Sequence, residues 1–250
     1  MGAKTALFAV TEGDLRRALR GAVRADPAEV LALVRRVHPG YEVTPIGDGW
    51  LGDAVYPPDD ISYATALAGT VLFCDRRLVH DRPSQLPAHL LRLGADRRIV
   101  MHGMHSGSDG LCFAVWENGS LVRSLSISPD GAIGENIGEP YDFERPYWAG
   151  ERPVGSTLSG DRYPLPFHPL ELGEDALRAL FGFIVEGRPD PDDVDPQQVP
   201  LLGFRVADST GREPAERDAT MKQLLQQMGP PRRYRMMPDG TLQEIGDTGR

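Results

Sequence analysis

Cysteine is nearly absent from this chain. Its 250 residues hold two, Cys74 and Cys112. Both fall within apolar runs of strand length, so they read as buried thiols, and a disulfide-stapled scaffold is not expected at this count and size. No apolar run approaches the roughly 18 residues that a membrane-spanning helix needs. The N-terminus lacks the charged-then-apolar pattern of a signal peptide. Met1-Gly2 is followed by Ala6 where a myristoylation signal has Ser or Thr. A cytoplasmic protein with no membrane partner is expected. Lysine is scarce too: Lys4 and Lys222 are the only two among 27 basic residues. That arginine bias suggests a GC-rich bacterial source.

The motifs of several large enzyme classes are also missing. No Gly-rich loop sits at a strand-to-helix junction to cradle a phosphate or dinucleotide. There is no Gly-x-Ser-x-Gly elbow and no His-Glu-x-x-His zinc signature. No fixed-period repeat occurs. The formal net charge of −9 gives no global attraction to nucleic acid or to an anionic membrane. The most basic segment, residues 76–98, carries Arg76, Arg77, Arg82, Arg92, Arg97 and Arg98 but no Phe, Tyr or Trp on which a base could stack. It reads as a solvated face around a helix near Ser84–Leu93, and no nucleic-acid partner is expected.

What is present is a globular composition, 40% apolar and 25% charged, with 28 Gly and 22 Pro that imply many turns. The stretch from Arg98 to Trp148 organises the rest. Asn118-Gly119 suits a type I′ turn, whose two central residues need positive φ. Its flanks are β-branched and aromatic, so a hairpin is expected. A two-residue loop with regular pairing puts Trp116 opposite Leu121, Val115 opposite Val122, Ala114 opposite Arg123, Phe113 opposite Ser124, Cys112 opposite Leu125 and Leu111 opposite Ser126. Ser128-Pro129-Asp130-Gly131 is a second turn, and Ala132 to Ile137 returns from it. Arg98 to Met104 supplies a strand upstream, in which Gly103 marks a bulge or a close approach. Together these make a four-strand meander over residues 98–137.

Around it, Lys4 to Val10 reads as a strand. A helix follows with Thr11 as N-cap and Leu15, Leu19 and Val23 on its buried side. Asp26-Pro27-Ala28-Glu29 opens a second helix with Val30, Val34 and Val37 as its stripe, ended by His38-Pro39-Gly40. Tyr41 to Ile46 is a short strand, and Gly47 to Asp53 a hairpin or loop without the ligand pattern of a calcium site. Pro57 to Asp60 opens a short helix lined by Ile61, Ala64 and Ala68, and Thr70 to Cys74 is a strand. The strongest helix carries Leu177, Leu180, Phe181 and Ile184, with Gly187 beyond its end. Val199 to Val206 is a strand and Pro214 to Met228 a helix with Met221, Leu224, Leu225 and Met228 on one face. The fold class is therefore α+β: a largely antiparallel central sheet with packed helices. The expected organisation is a core domain over 1–187, an acidic Pro-rich linker over 188–198, a strand–helix extension over 199–228 and a loosely ordered tail over 229–250.

Several blocks together carry a family resemblance. They are the opening Met-Gly-Ala-Lys-Thr-Ala-Leu-Phe-Ala, then Met101-His102-Gly103-Met104-His105-Ser106, Phe113 to Gly119, Leu121 to Ser126, Glu135 to Pro140, Tyr147-Trp148-Ala149-Gly150, and Pro166-Phe167-His168-Pro169-Leu170. The chain resembles a family of uncharacterised proteins from actinobacteria, classed as a domain of unknown function, over roughly residues 1–187. The relatives have an apolar and aromatic segment after the Met-His-Ser block, where this chain has Gly107-Ser108-Asp109-Gly110. The resemblance implies no activity and supplies no catalytic residues.

Two functions compete. One is a non-catalytic module that binds a small molecule or a protein, using aromatics beside Pro-rich loops: Tyr147, Trp148, Tyr163 and Phe167. The other is a metal-dependent or acid–base enzyme built on His102, His105 and His168 with Asp109 and Glu144. Odd spacing puts His102 and His105 on opposite faces of a strand, unless Gly103 bulges. Cys112 in mid-strand is a poor nucleophile. The binding module is the favoured reading, and neither a metal nor a cofactor is assigned to it.

Overall fold

The computed structural model describes residues 2–130, 132–154 and 163–211, and beyond these 215, 218–223, 233–236 and 242–245. Compact packing divides the chain into Met1–Ala207 and Asp208–Arg250. The first unit runs β1 (Lys4–Thr11), α1 (Leu15–Arg20), α2 (Pro27–Val37), β2 (Glu42–Trp50), α3 (Leu51–Ala54), β3 (Ile61–Leu67), β4 (Thr70–Cys74), α4 (Ala88–Leu91) and β5 (Arg98–His105). It continues with β6 (Gly110–Glu117), β7 (Ser120–Ser128), β8 (Ala132–Ile137), α5 (Arg145–Trp148), α6 (Pro169–Phe181) and β9 (Pro200–Ala207). All nine strands join one antiparallel sheet in the order β2-β9-β3-β4-β1-β5-β6-β7-β8. The α+β class is as expected, and β5 to β8 form the meander.

The sheet has a core on each face, which is why β1 reads as an unbroken apolar run. Leu7 and Ala9 point to the side covered by α1 and α6, and Phe8 and Val10 to the side covered by α2 and α4. Helix α2 starts where Asp26 accepts from the Ala28 and Glu29 amides, and it buries Val30, Val34 and Val37 as expected. Helix α6 buries Leu172, Leu177 and Phe181 completely. Truncating any of these to Ala would cost about 2–5 kcal/mol.

The structure departs from several expectations, each for a local reason. Helix α1 is capped by Asp14, while the Thr11 hydroxyl meets that of Thr70 at 2.7 Å. It ends at Arg20, leaving Val23 exposed. Residues 61–67 are a strand and not a helix: Ala68-Gly69 turns β3 into β4, with Gly69 at φ +68. The alanine spacing imitates a helical stripe, but pairing on both sides decides. Gly47 to Trp50 continue β2 past a register shift at Pro45/Gly47. The Tyr63 ring covers Gly49, where a Cβ would approach it to 2.9 Å, and Gly203 of β9, where one would approach it to 2.7 Å. Residues 84–93 form only 3₁₀ turns and the single turn α4. Helix α6 closes at Gly182 (φ +85), whose amide reaches the Arg178 and Leu177 carbonyls, so Ile184 and Gly187 lie beyond it. Strand β9, expected in an extension after the acidic linker, is inserted between β2 and β3.

The hairpin turn is as read, with Asn118 at φ +49 and Gly119 at +78, and Trp116 faces Leu121. Past Trp116 the register shifts by one residue at Val115/Trp116. Cys112 then faces Ser126, Phe113 faces Leu125, Ala114 faces Ser124, Val115 faces Arg123 and Leu111 faces Ile127. In the second unit, residues 215 and 218–223 are helical, and Arg233–Met236 pairs with Leu242–Ile245. The rest of the expected helix from Pro214 to Met228, with Leu224, Leu225 and Met228, lies outside the described residues, as does most of the 229–250 tail.

Candidate functional site

The sequence-derived candidates fall in four separate places. His102 is fully buried on the α6 side of β5. Its Nε2 lies 2.9 Å from the Gly173 carbonyl, which only accepts, so Nε2 carries the proton. Nδ1 therefore accepts the Thr5 hydroxyl at 2.8 Å. Burial pushes the imidazole down to about 4, and the Gly173 bond opposes this only in part. His102 is a neutral clasp between sheet and helix, and Gly173 allows it by bringing α6 close: a Cβ there would lie 2.7 Å from Met104 Sδ.

His105 leaves the opposite face, since β5 pairs without a bulge at Gly103. Glu144 is fully buried elsewhere, in a two-pronged pair with Arg123 at 2.9 and 2.6 Å. The Glu144 carboxylate also accepts the Tyr141 amide, and Arg123 donates to Asn136 Oδ1 and the Ile137 carbonyl. This network ties the chain after β8 to the sheet edge. Asp109 and His168 do meet, Nε2 to Oδ2 at 3.7 Å, and Tyr163 stacks on the imidazole with its hydroxyl 3.4 Å from the same oxygen. His168 Nδ1 accepts the Leu170 amide, so this imidazole caps α6 and holds the β5–β6 loop. Burial first, then Asp109, pushes the Tyr163 phenol up to about 12. Among the described residues, no three His, Cys, Asp or Glu side chains are placed to hold a metal.

The aromatic candidates are mostly packing groups. Tyr147 and Phe167 are buried, and their rings meet edge to face at 5.4 Å. The Tyr147 hydroxyl donates to Asp175 at 2.7 Å. Trp148 is half-buried against Phe167 at 5.0 Å, and Tyr163 is half-buried on His168. The expected surface around Tyr147 and Phe167 is therefore interior: large rings filled the space between α5, α6 and the sheet.

The open space lies on the other face. A trough of about 710 Å³ crosses the sheet at the end of β1, β5, β6, β7 and β8 that α2 and α4 leave bare. Its floor is a cross-strand row of small residues: Ala6 pairs with Gly103, Gly103 with Cys112, and Cys112 with Ser126, beside Gly134. A second row along the open end holds His105, Gly110 and Ser128. One wall is the strap 75–85. It starts where the Asp75 amide bonds the Ala6 carbonyl and buried His38 grips Asp75 at 2.8 Å. It crosses β5 where Val79 lies over Gly103, a Cβ on which would approach Val79 Cγ1 to 2.4 Å. It ends where the Ser84 amide bonds Glu135 of β8 at 3.1 Å. The Cys112 thiol is pushed up to about 12 by burial first and by Asp81 second, so it stays protonated.

The trough was not read from the sequence. Its floor exists only once five strands are in register. The register shift at Val115/Trp116 puts Ser126, and not Leu125, beside Cys112.

A family model described as a family of unknown function (DUF6928) matches residues 5–204. The chain belongs to that family. No curated protein and no solved structure matches it. The DUF6928 segment extends past the expected 1–187 into β9. It includes every residue of the trough floor.

Proposed function

We propose that this DUF6928 protein is a small-molecule-binding module, without covalent chemistry of its own, whose ligand lies in the trough. The bacterial cytoplasm is part of the same proposal. One observation carries it: a cross-strand row of small residues lining about 710 Å³ of space beside the strap, whose Val79 lies over Gly103, in a sheet that otherwise buries a hydrophobic core on each face. Sites for small ligands are preformed clefts of roughly 300–1,000 Å³ with few polar groups. The floor offers a hydroxyl at Ser126 and a protonated thiol at Cys112, and its rim offers Arg76, Arg82, Asp81 and His105. The strap is anchored at both ends, so the cavity does not depend on a ligand to form.

Ser126 is half-buried, and a larger side chain there extends into the trough. Ser126→Phe is expected to fill it while leaving the fold intact. Equilibrium dialysis of the full chain against a bacterial metabolite extract, read by mass spectrometry, should enrich one or a few compounds with the wild type and not with Ser126→Phe. Identical profiles from the two proteins would sink the proposal.

A further inference from the structure

We infer that the end of the trough nearest β1 is an anion subsite, and that the ligand carries a phosphoryl or carboxylate group there. This rests on the trough being the ligand site. Three nitrogen groups converge on the Tyr56 ring at that end. The Arg76 guanidinium lies 4.6 Å from the ring centroid, Lys4 Nζ lies 5.7 Å from it, and the His105 ring centroid lies 5.7 Å away. Tyr56, Arg76 and His105 line the cavity. His105 Nδ1 accepts the Gly107 amide at 3.2 Å, so in the neutral imidazole Nε2 carries the proton and is a donor.

The surrounding acids are accounted for. Asp59, half exposed, pairs with Arg76 at 2.9 Å. Glu135 is on β8 and accepts from Ser84 and Ser124. Asp81 and Arg82 lie further along the strap, toward Cys112 and Glu135. Positive charge is therefore gathered at one end of the trough in a chain of net charge −9. Partial burial first, and then the Lys4 and Arg76 charges, hold the His105 imidazole below its ordinary range. Lys4 and Arg76 both act on His105, and an anion held beside them gains charge-assisted hydrogen bonds. Arg76 can grip a planar carboxylate or a phosphoryl group through two parallel bonds.

His105 is also the reporter for the test. The full chain is titrated with phenyl phosphate, benzoate and benzamide while the His105 ring C–H resonances are followed by NMR. Either anion, or both, should give a saturable shift and raise the pH at which His105 titrates. Benzamide, uncharged and of the same shape as benzoate, should bind at least about tenfold more weakly, the order of one charge-assisted contact. The tighter of the two anions tells phosphoryl from carboxylate. Lys4→Gln/Arg76→Gln should abolish the anion preference, and Arg76→Lys should keep most of it. Benzamide binding as tightly as the anions, or anion binding undiminished in the double variant, overturns the subsite while leaving the trough a ligand site. No saturable shift with either anion also overturns it. Failure of the trough itself is read separately, from the Ser126→Phe dialysis.

Discussion

His102 shows how a residue that reads as chemistry turns out to be structure. Its two ring nitrogens are fully engaged, one as donor to Gly173 and one as acceptor from Thr5. The folded protein holds it neutral, with a pKa of about 4 against an ordinary 6.5. The unfolded chain therefore binds the extra proton first. The stability that neutral His102 contributes is complete above about pH 6.5 and is lost as pH falls toward 4, by on the order of 3 kcal/mol across that window. Urea unfolding at a series of pH values should show this loss, and His102→Leu should flatten it. An unchanged slope in the variant would place the pH dependence elsewhere. Arg123 and Glu144 call for a different experiment. Both are wholly buried and satisfied by each other, so Glu144→Gln leaves a guanidinium without its counter-charge and should cost about 3–5 kcal/mol in chemical denaturation. Replacing both, Arg123→Met with Glu144→Leu, should recover much of that loss. A single variant as stable as the wild type would contradict the pairing.

At the scale of elements, periodicity and capping chemistry carried most of the reading. Asp26-Pro27 announced α2, Asn118-Gly119 announced its hairpin, and the apolar run Lys4 to Val10 announced a strand, which the structure buries on both faces. What stayed hidden depends on partners far away in the chain. Residues 61–67 have helical alanine spacing and become a strand because β4 and β9 flank them. Gly47-Asp48-Gly49 looks like a loop because nothing local reveals its pairing with β9 or the Tyr63 ring lying over Gly49. The shift at Val115/Trp116 adds one residue to β7 and turns every later side chain to the other face. It buries Arg123 and brings Ser126 to the trough floor, so one local irregularity sets both the sheet-edge network and the cavity. The contact of the strap with β5 gives a prediction at this scale. A methyl at Gly103 must displace Val79, so Gly103→Ala should destabilise by about 1–3 kcal/mol in thermal or urea unfolding. Val79→Ala should offset part of that loss, and a neutral Gly103→Ala would show that the strap does not bear on the sheet.

In the first unit, nine strands and helices on both faces leave one end of one face uncovered among the described residues, and the candidate function rests on that end. The aromatics that looked like a binding surface close the opposite face, with Tyr147 and Phe167 inside. The most direct measurement of the central claim is amide chemical-shift mapping of the ¹⁵N-labelled full chain against a library of small organic fragments, since fragments gather where a protein is built to bind. Hits are predicted to perturb a shared set of amides around Ala6, Gly103, Gly107, Cys112 and Ser126, and to lose those perturbations in Ser126→Phe. Hits gathered instead around Trp148 and Tyr163, or scattered with no common set, would contradict the trough as the site.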